Sequence, residues 1–503
     1  MYLLAVFILG LKVKTQLFIN GNWQDSQSQE KYSRVNPANP DEILGEFQRG
    51  NTQDIKKAID AAENAFEVWA DTSPVRRADY LVKAGELLQN QKEDLSQTMS
   101  REMGKPLRDS REEVQQAIDL AYYIAGEGRR LLGHTIPAEE NGKFTFTLRM
   151  PIGIVGLITP WNFPVLIPAR KIFYSIVCGN TVVLKPSSEA PICACILVEI
   201  LRQTGLPKGI VNLITGSGKV IGNTLITDKR VQLISFCGHK DTGANIMRDA
   251  GPKRVSLELG GKNPLIIMDD ADLKLAVLGA IWSGYTTTGQ RCTAASRVIV
   301  HERIKSKIER MIKDQIQNLK LGNGLDPETD IGPLVNNKAQ DKTKEYCQIG
   351  KDEGARLLTG GKVPSHLKGW YFKPTLFTDC NSEMRICREE IFGPVISILS
   401  AKNLDEAIDI ANSTDYGLSS AIYTNNIANA FVAIKRLQAG ITYVNHPTIG
   451  SEAHLPFGGV KYSGNNRESG PDGINEFTEL KTVTIDYLSP NKKNLDTIGY
   501  GAP

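Results

Sequence analysis

Two spacings of apolar residues divide the chain. Near its start, LFINGNWQD predicts a hairpin: a short apolar strand, an Asn-Gly turn, and Trp23 on the returning strand. From about residue 52 the spacing turns helical, with Ile55, Ile59, Ala62 and Phe66 at i, i+4, i+7 and i+11. A second helix is predicted from Ser73 as N-cap and Pro74 at its first position to the Gly-Lys-Pro stop at 104–106. A third is expected over about 108–132.

From residue 152 short apolar runs alternate with helical ones. IGIVGLIT, TVVLKP, VNLIT, LISFCG and NPLIIM are five predicted strands, apolar on both faces as parallel strands buried between helices are. The alternation resumes with SRVIVH, RLLTGG, VISILS and SSAIYT, so two α/β units are expected, with Cys292 opening the second. The terminal EFTELKTVTIDYLSP holds a lone strand with no neighbour in sequence. It is expected to complete a sheet elsewhere, such as one in another subunit.

Composition narrows the class. A chain of 503 residues exceeds one ordinary core, and 41% apolar with 23% charged residues is globular. The 59 basic and 56 acidic residues leave a net charge of +3 without an aromatic-basic stripe, which argues against nucleic acid and anionic membranes as partners. Eight cysteines without a CxxC pair are too sparse for a disulfide scaffold. No HExxH occurs and Cys193-Ala-Cys195 is wrongly spaced for zinc, so no metal site is expected. A reducing, cytoplasmic setting follows. The opening MYLLAVFILGLKVK has an apolar run about half the roughly 20 residues that cross a bilayer. Without a basic leader or a small-x-small cleavage site, residues 1–13 are expected to be a dispensable extension.

Several short stretches carry chemistry. Cys292, in GQRCTAASR, suits a packed thiol, a metal ligand or a nucleophile aimed into a cleft. TGSGKVIG (with Gly218) and FCGHKDTG (with Gly238 and His239) each sit at a strand-to-helix turn, where free backbone N–H groups receive phosphates or merely pack. PWNFP sets Asn162 between Trp161 and Phe163, as a loop cap or as an oxyanion donor. LELGGKNP sets Glu258 in apolar surroundings, which raise a carboxyl pKa and suit a general base. Pairing with Lys262 is the alternative.

Together PWNFP, LKPSSEAP, LELGGKNP, GQRCTAASR, EEIFGPV and PFGGVKYSG stand in the order and approximate spacing of the aldehyde dehydrogenase superfamily. The resemblance spans about residues 17–488. It implies an α/β fold with a Rossmann-type nucleotide-binding domain (14–128 and 149–259) and a catalytic domain (260–450). A bridging β-arm and tail (129–148 and 479–503) imply a homo-oligomer, a dimer or tetramer. By the same resemblance Cys292 is the nucleophile, Asn162 an oxyanion donor and Glu258 the base that hydrolyses a thioester. The thiolate chemistry then calls for a Cys292 pKa below the free value of about 8.5.

The cofactor implied is NAD or NADP, held by Trp161, Lys185, Ser188, Gly218, Gly238, His239, Glu390 and Phe392. Strongly NAD-preferring members carry a glutamate three places after the lysine; here Ser188 stands there and Glu189 follows. Without that carboxylate, NADP is favoured. In FCGH, His239 replaces a small hydroxyl common in the family. Phe163, Arg170, Arg291, Thr293 and Phe457 are expected around a small aldehyde. Arg170, eight residues past Asn162, suits an anionic tail, with a salt bridge inside the domain as the alternative. The C-terminal NHPTIGSEAHLPFGGVKYSG is most similar to the 2-oxoglutarate-semialdehyde branch, and succinate semialdehyde fits the same description. Two rivals are a CoA-acylating semialdehyde dehydrogenase, which Glu258 argues against, and a catalytically silent relative used as a binding protein. The joint presence of Cys292, Glu258 and Asn162 argues against the latter.

Overall fold

The computed structural model describes residues 6–8 and 11–487, with side chains from residue 14 onward. Two seven-stranded sheets organise it. The first runs Arg254–Glu258, Val231–Cys237, Ile154–Ile158, Thr181–Lys185, Val211–Leu213, Leu17–Ile19, Asn22–Gln24. Its first five strands are parallel, and the last two are the N-terminal hairpin added antiparallel. That hairpin turns at Asn20 (φ 51°) and Gly21 (φ 77°), the left-handed pair that a two-residue turn between twisted strands requires. Chain order reverses between Ile154–Ile158 and Val231–Cys237, so a crevice opens beyond their carboxyl ends.

The second sheet runs Arg356–Thr359, Thr375–Cys380, Val395–Ala401, Ala295–His301, Asn263–Ile267, Ser419–Tyr423, Ile441–Val444. NPLIIM therefore opens the second sheet instead of closing the first, and Cys292 lies in the connection to its next strand. An apolar run carries no mark of which sheet will receive it. Arg297 is fully buried in this sheet and donates to the carbonyls of Lys262 (3.0 Å), Ile410 (2.9 Å) and Ala411 (2.7 Å). Burial lowers its pKa to about 10, which still leaves it charged at neutral pH.

The N-terminal helices follow the spacing with one change. Thr52–Asp71 is capped by a reciprocal Asn51–Asp54 box. The long second helix divides at Gln91 into Pro74–Asn90 and Lys92–Met103, and Ser73 makes no side-chain cap. Leu107–Glu127 then crosses to the crevice. Two fully buried carboxylates cap helices of the first domain from outside. Glu102 accepts from the N–H groups of Ile192 (2.6 Å) and Cys193 (2.9 Å), and Glu113 from those of Val165 (2.8 Å) and Leu166 (3.0 Å).

The terminal strand departs from expectation. Thr478–Asp486 pairs antiparallel with Lys143–Pro151 of its own chain, more than 300 residues earlier, and Thr135–Ile136 completes the small sheet. No neighbouring hairpin was needed, because the chain returns to the arm after both domains are built. Of the 1–13 extension, Val6–Ile8 and Leu11–Val13 pair antiparallel; its other residues, and the tail beyond 487, lie outside the described residues. Among the described residues no helix is long and apolar enough to cross a membrane.

Candidate active site

The nucleophile candidate is presented by an unusual turn. Thr287 (φ 52°), Thr288 (φ 59°) and Gly289 (φ 68°) are left-handed in succession, immediately before Gln290, Arg291 and Cys292. For a β-branched residue this conformation costs roughly 1–2 kcal/mol, so surrounding bonds must hold it. Asp109 Oδ2 accepts from the Thr287 N–H and hydroxyl, both at 3.1 Å, and the Thr288 hydroxyl donates to the Gly332 carbonyl at 3.0 Å. Fully buried Gln290 donates to Thr287 O (3.2 Å), accepts from the Val335 N–H (2.9 Å), and offers its carbonyl to the Asn162 amide at 3.0 Å. Asn263 fixes the far side by donating to the carbonyls of Cys292 (2.7 Å) and Ala294 (2.9 Å).

Asn162 leaves the end of strand Ile154–Ile158, at the crevice. A buried Lys105–Glu113 pair steadies its loop: Lys105 Nζ lies 3.4 Å from the Asn162 carbonyl and 4.7 Å from the Phe163 ring centre. Glu258 ends strand Arg254–Glu258 beside Cys237 of the neighbouring strand. Both carboxylate oxygens of Glu258 and the Lys262 amine are buried without hydrogen-bond partners, so the Glu258–Lys262 pair considered from sequence does not form. Gly458 makes room for the carboxylate: a Cβ there would lie 2.7 Å from Glu258 Oε1.

Cys292 and Glu258 open into one cavity of about 1000 Å³, which Phe163, Arg170, Cys237, Arg291, Thr293, Phe457 and Glu468 also line. All five residues expected around the substrate are thus brought together. Arg170 forms the internal salt bridge considered as the alternative, and it also lines the cavity. Its guanidinium reaches Glu468 at 3.4 Å and lies 5.1 Å from the Phe457 ring centre, yet its Nε is buried without a partner. Arg291 stands similarly over Phe163 at 5.2 Å, with Asp109 at 3.8 Å.

Behind this wall runs a network the sequence did not disclose. Lys171 Nζ binds Glu468 and donates to Ser235 Oγ at 2.7 Å; Ser235 donates to Glu476 at 2.6 Å. All four are buried. Lys171 and Glu468 are 297 positions apart, and no local pattern links them.

Electrostatics follow from this burial. Glu258 is pushed well above the carboxylate range, by desolvation first and then by Glu468 and Glu476, with Lys171 and Arg170 opposing. That agrees with its apolar setting in sequence. Cys292 does not meet its expectation: desolvation, then Glu258 and Glu390, push the thiol up to about 12, with Arg170 opposing. The sequence showed the neighbouring Arg291 but not the two carboxylates folded against the thiol.

The residues expected at the cofactor lie along the same crevice. Lys185, at the end of Thr181–Lys185, is buried, donates to its neighbour Pro186 O at 3.0 Å, and is lowered by burial to about 8. Gly218 opens a π-turn beside it; a Cβ on Gly218 would be 4.0 Å from Lys185 Cε. Ser188 donates to Gly216 O at 3.2 Å, while Glu189 is held by buried Arg34 at 2.9 Å. Trp161 meets Phe392 edge-on at 5.5 Å, and Phe392 itself is left-handed (φ 60°). Glu390 accepts from the Gly261 N–H at 3.0 Å, in a cradle that a Cβ on Gly260 would fill at 2.3 Å. Gly238 donates to Glu258 O at 3.0 Å, and His239 N-caps Lys240–Asp249 through its ring nitrogen.

The first sheet, with its crevice at a strand-order reversal, contributes the buried Glu258 carboxylate, and the second α/β unit contributes the Cys292 thiol to the same cavity. Residues 23–483 match the pattern described as the aldehyde dehydrogenase family. The chain is 37% identical over 474 residues to alpha-ketoglutaric semialdehyde dehydrogenase of Bacillus subtilis, covering 93% of this chain and 97% of the relative. It is 38% identical to 2,5-dioxopentanoate dehydrogenase of Saccharolobus solfataricus (91% and 96% covered), and 39% to retinaldehyde dehydrogenase 3 of Mus musculus (96% and 95%). Betaine aldehyde dehydrogenase of Staphylococcus aureus, solved in complex with NAD+, superposes with a TM-score of 0.93 at 33% identity, covering 96% and 97% of the two chains. The protein belongs to the aldehyde dehydrogenase family and is an oxidoreductase acting on aldehydes.

The raised thiol pKa gives a direct expectation. In the cofactor-free protein at neutral pH the Cys292 thiolate is a minor form, and its fraction grows roughly tenfold per pH unit below the pKa. Iodoacetamide labelling of Cys292, followed by peptide mass spectrometry, should therefore still be accelerating from pH 8 to pH 10. A plateau below pH 9 would contradict this.

Proposed function

We propose that the protein oxidises a small semialdehyde with an anionic tail, such as 2-oxoglutarate or succinate semialdehyde, to the acid with NADP or NAD, NADP being preferred. The observation that carries the substrate is Arg170, with Arg291, in the same cavity as Cys292. Two relatives whose names specify an oxo-acid semialdehyde support it. A retinaldehyde dehydrogenase of similar identity means that the cavity, not overall likeness, has to decide.

In this reading Cys292 releases its proton to solvent through the cavity and its Sγ attacks the aldehyde carbon, leaving Glu258 for the later hydrolysis. The side-chain amide of Asn162 and the Cys292 backbone N–H stabilise the oxyanion, each donor contributing about 3 kcal/mol. NAD(P), when bound, would supply the hydride acceptor. Lys185, Gly218, Glu390 and the Trp161–Phe392 pair suit that group, since a buried lysine amine without a carboxylate partner stands beside the uncrowded Gly218. Gly238 and His239 flank the same crevice. A thioester on Cys292 remains, and Glu258 takes the proton of the water that hydrolyses it. Transfer to a CoA thiol would not need that base.

NADP preference rests on Ser188. The one carboxylate able to replace the missing glutamate, Glu189, is engaged by Arg34, leaving a hydroxyl and the Lys185 amine for a 2′-phosphate. The arm sheet has Phe144, Leu148, Leu480 and Ile485 exposed, which supports docking on a second copy, giving a dimer or tetramer.

Four experiments test the reading. A panel of aldehydes with both cofactors, followed at 340 nm, should give carboxylated semialdehydes at least roughly tenfold higher kcat/KM than neutral aldehydes of equal length, a difference of about 1.4 kcal/mol. In the same assay Ser188→Glu should lower the NADP-to-NAD ratio by about tenfold or more; wild-type efficiency tenfold higher with NAD would overturn the preference. Glu258→Gln should give a burst of reduced cofactor followed by slow turnover, because the amide cannot take water's proton; unchanged steady turnover would assign the base elsewhere. Deleting residues 479–503 should lower the oligomeric mass seen by light scattering, and a wild-type mass would remove the arm from assembly.

A further inference from the structure

We infer that Asp109 is a positioning residue that fixes the Cys292 turn and the Arg291 guanidinium in one arrangement. It sits in the first turn of helix Leu107–Glu127, is 6% exposed, and lines the substrate cavity. One oxygen, Oδ2, accepts from both the N–H and the hydroxyl of Thr287 at 3.1 Å. The hydroxyl of Thr287 in turn accepts from Arg291 Nε at 3.0 Å, and Arg291 Nη2 lies 3.8 Å from Asp109 Oδ2. The exposed Arg108 approaches the other oxygen at 3.7 Å. Thr287 begins the left-handed run, so the carboxylate bonds the backbone where the chain is least content to remain. Arg291, next to Cys292, is tied through the same hydroxyl. A charge placed on the helix for stability alone would favour the helix N-terminus but would need neither of the Thr287 bonds. The inference takes Cys292 as the nucleophile, and thiol labelling reports how that thiol is presented independently of turnover.

Asp109→Asn keeps a carbonyl oxygen for the Thr287 donors and loses the charge; Asp109→Ala loses both. Thr287→Val, of nearly the same shape, loses the hydroxyl that joins Asp109 to Arg291. In the full-length protein, Asp109→Ala should slow iodoacetamide labelling of Cys292 and kcat by about tenfold, 1.4 kcal/mol of barrier each. Thr287→Val should slow both several-fold, and Asp109→Asn should recover most of the loss. Thermal unfolding identifies any variant that fails to fold, in which case Thr287→Val alone decides the matter. Labelling within twofold of wild type in the folded Ala or Val variant would overturn the inference. So would an Asn variant no better than Ala, since charge and not hydrogen bonding would then be the operative property.

Discussion

Burial of like charge beside a thiol is the constraint from which the site takes its form. Glu258, Glu468 and Glu476 are withdrawn from water in one cluster, Glu258 and the half-buried Glu390 raise the Cys292 thiol, and neither oxygen of Glu258 is hydrogen-bonded. An unpaired buried carboxylate is expensive as an anion, so the proton stays with Glu258 over a wider pH range than in water. Lys171 and Arg170 keep the cluster from being uniformly negative. Burial alone would discharge Lys171, but Glu468 and Glu476 outweigh it and hold its pKa high. The result is a carboxyl and a thiol whose proton affinities have both risen.

Such a cluster is useful only if the thiol is aimed at it, and backbone geometry does the aiming. The Thr287–Thr288–Gly289 run is left-handed against local preference, and it is held from two separate places in the chain: Asp109 and the 332–335 segment, which binds Thr288 and Gln290. Asn162 is joined to the same assembly through the Gln290 carbonyl. Asn162, beyond the first sheet, and the turn that carries Cys292, in the second, are therefore registered by a direct hydrogen bond. Its own loop is anchored in turn by the Lys105–Glu113 pair, which also caps the helix beginning at Leu166. Rigid packing around these groups substitutes for the local propensity they lack.

The sequence by itself determined the parallel strands, since runs apolar on both faces have no other place to go, and the N-terminal hairpin, since Asn-Gly dictates its turn. Six motifs in register also pointed to Cys292, Glu258 and Asn162, and the five residues expected around the substrate fall in the same cavity as Cys292. Tertiary structure decided the rest. It assigned Asn263–Ile267 to the second sheet and gave Thr478–Asp486 a partner in its own chain. It brought Lys171 to Glu468 and Asp109 to Thr287, and it turned the expected low thiol pKa into a high one. These share one physical cause. Backbone periodicity and turn chemistry act over a few residues and are written locally, whereas desolvation and ion pairing depend on which distant groups are folded into the same small volume.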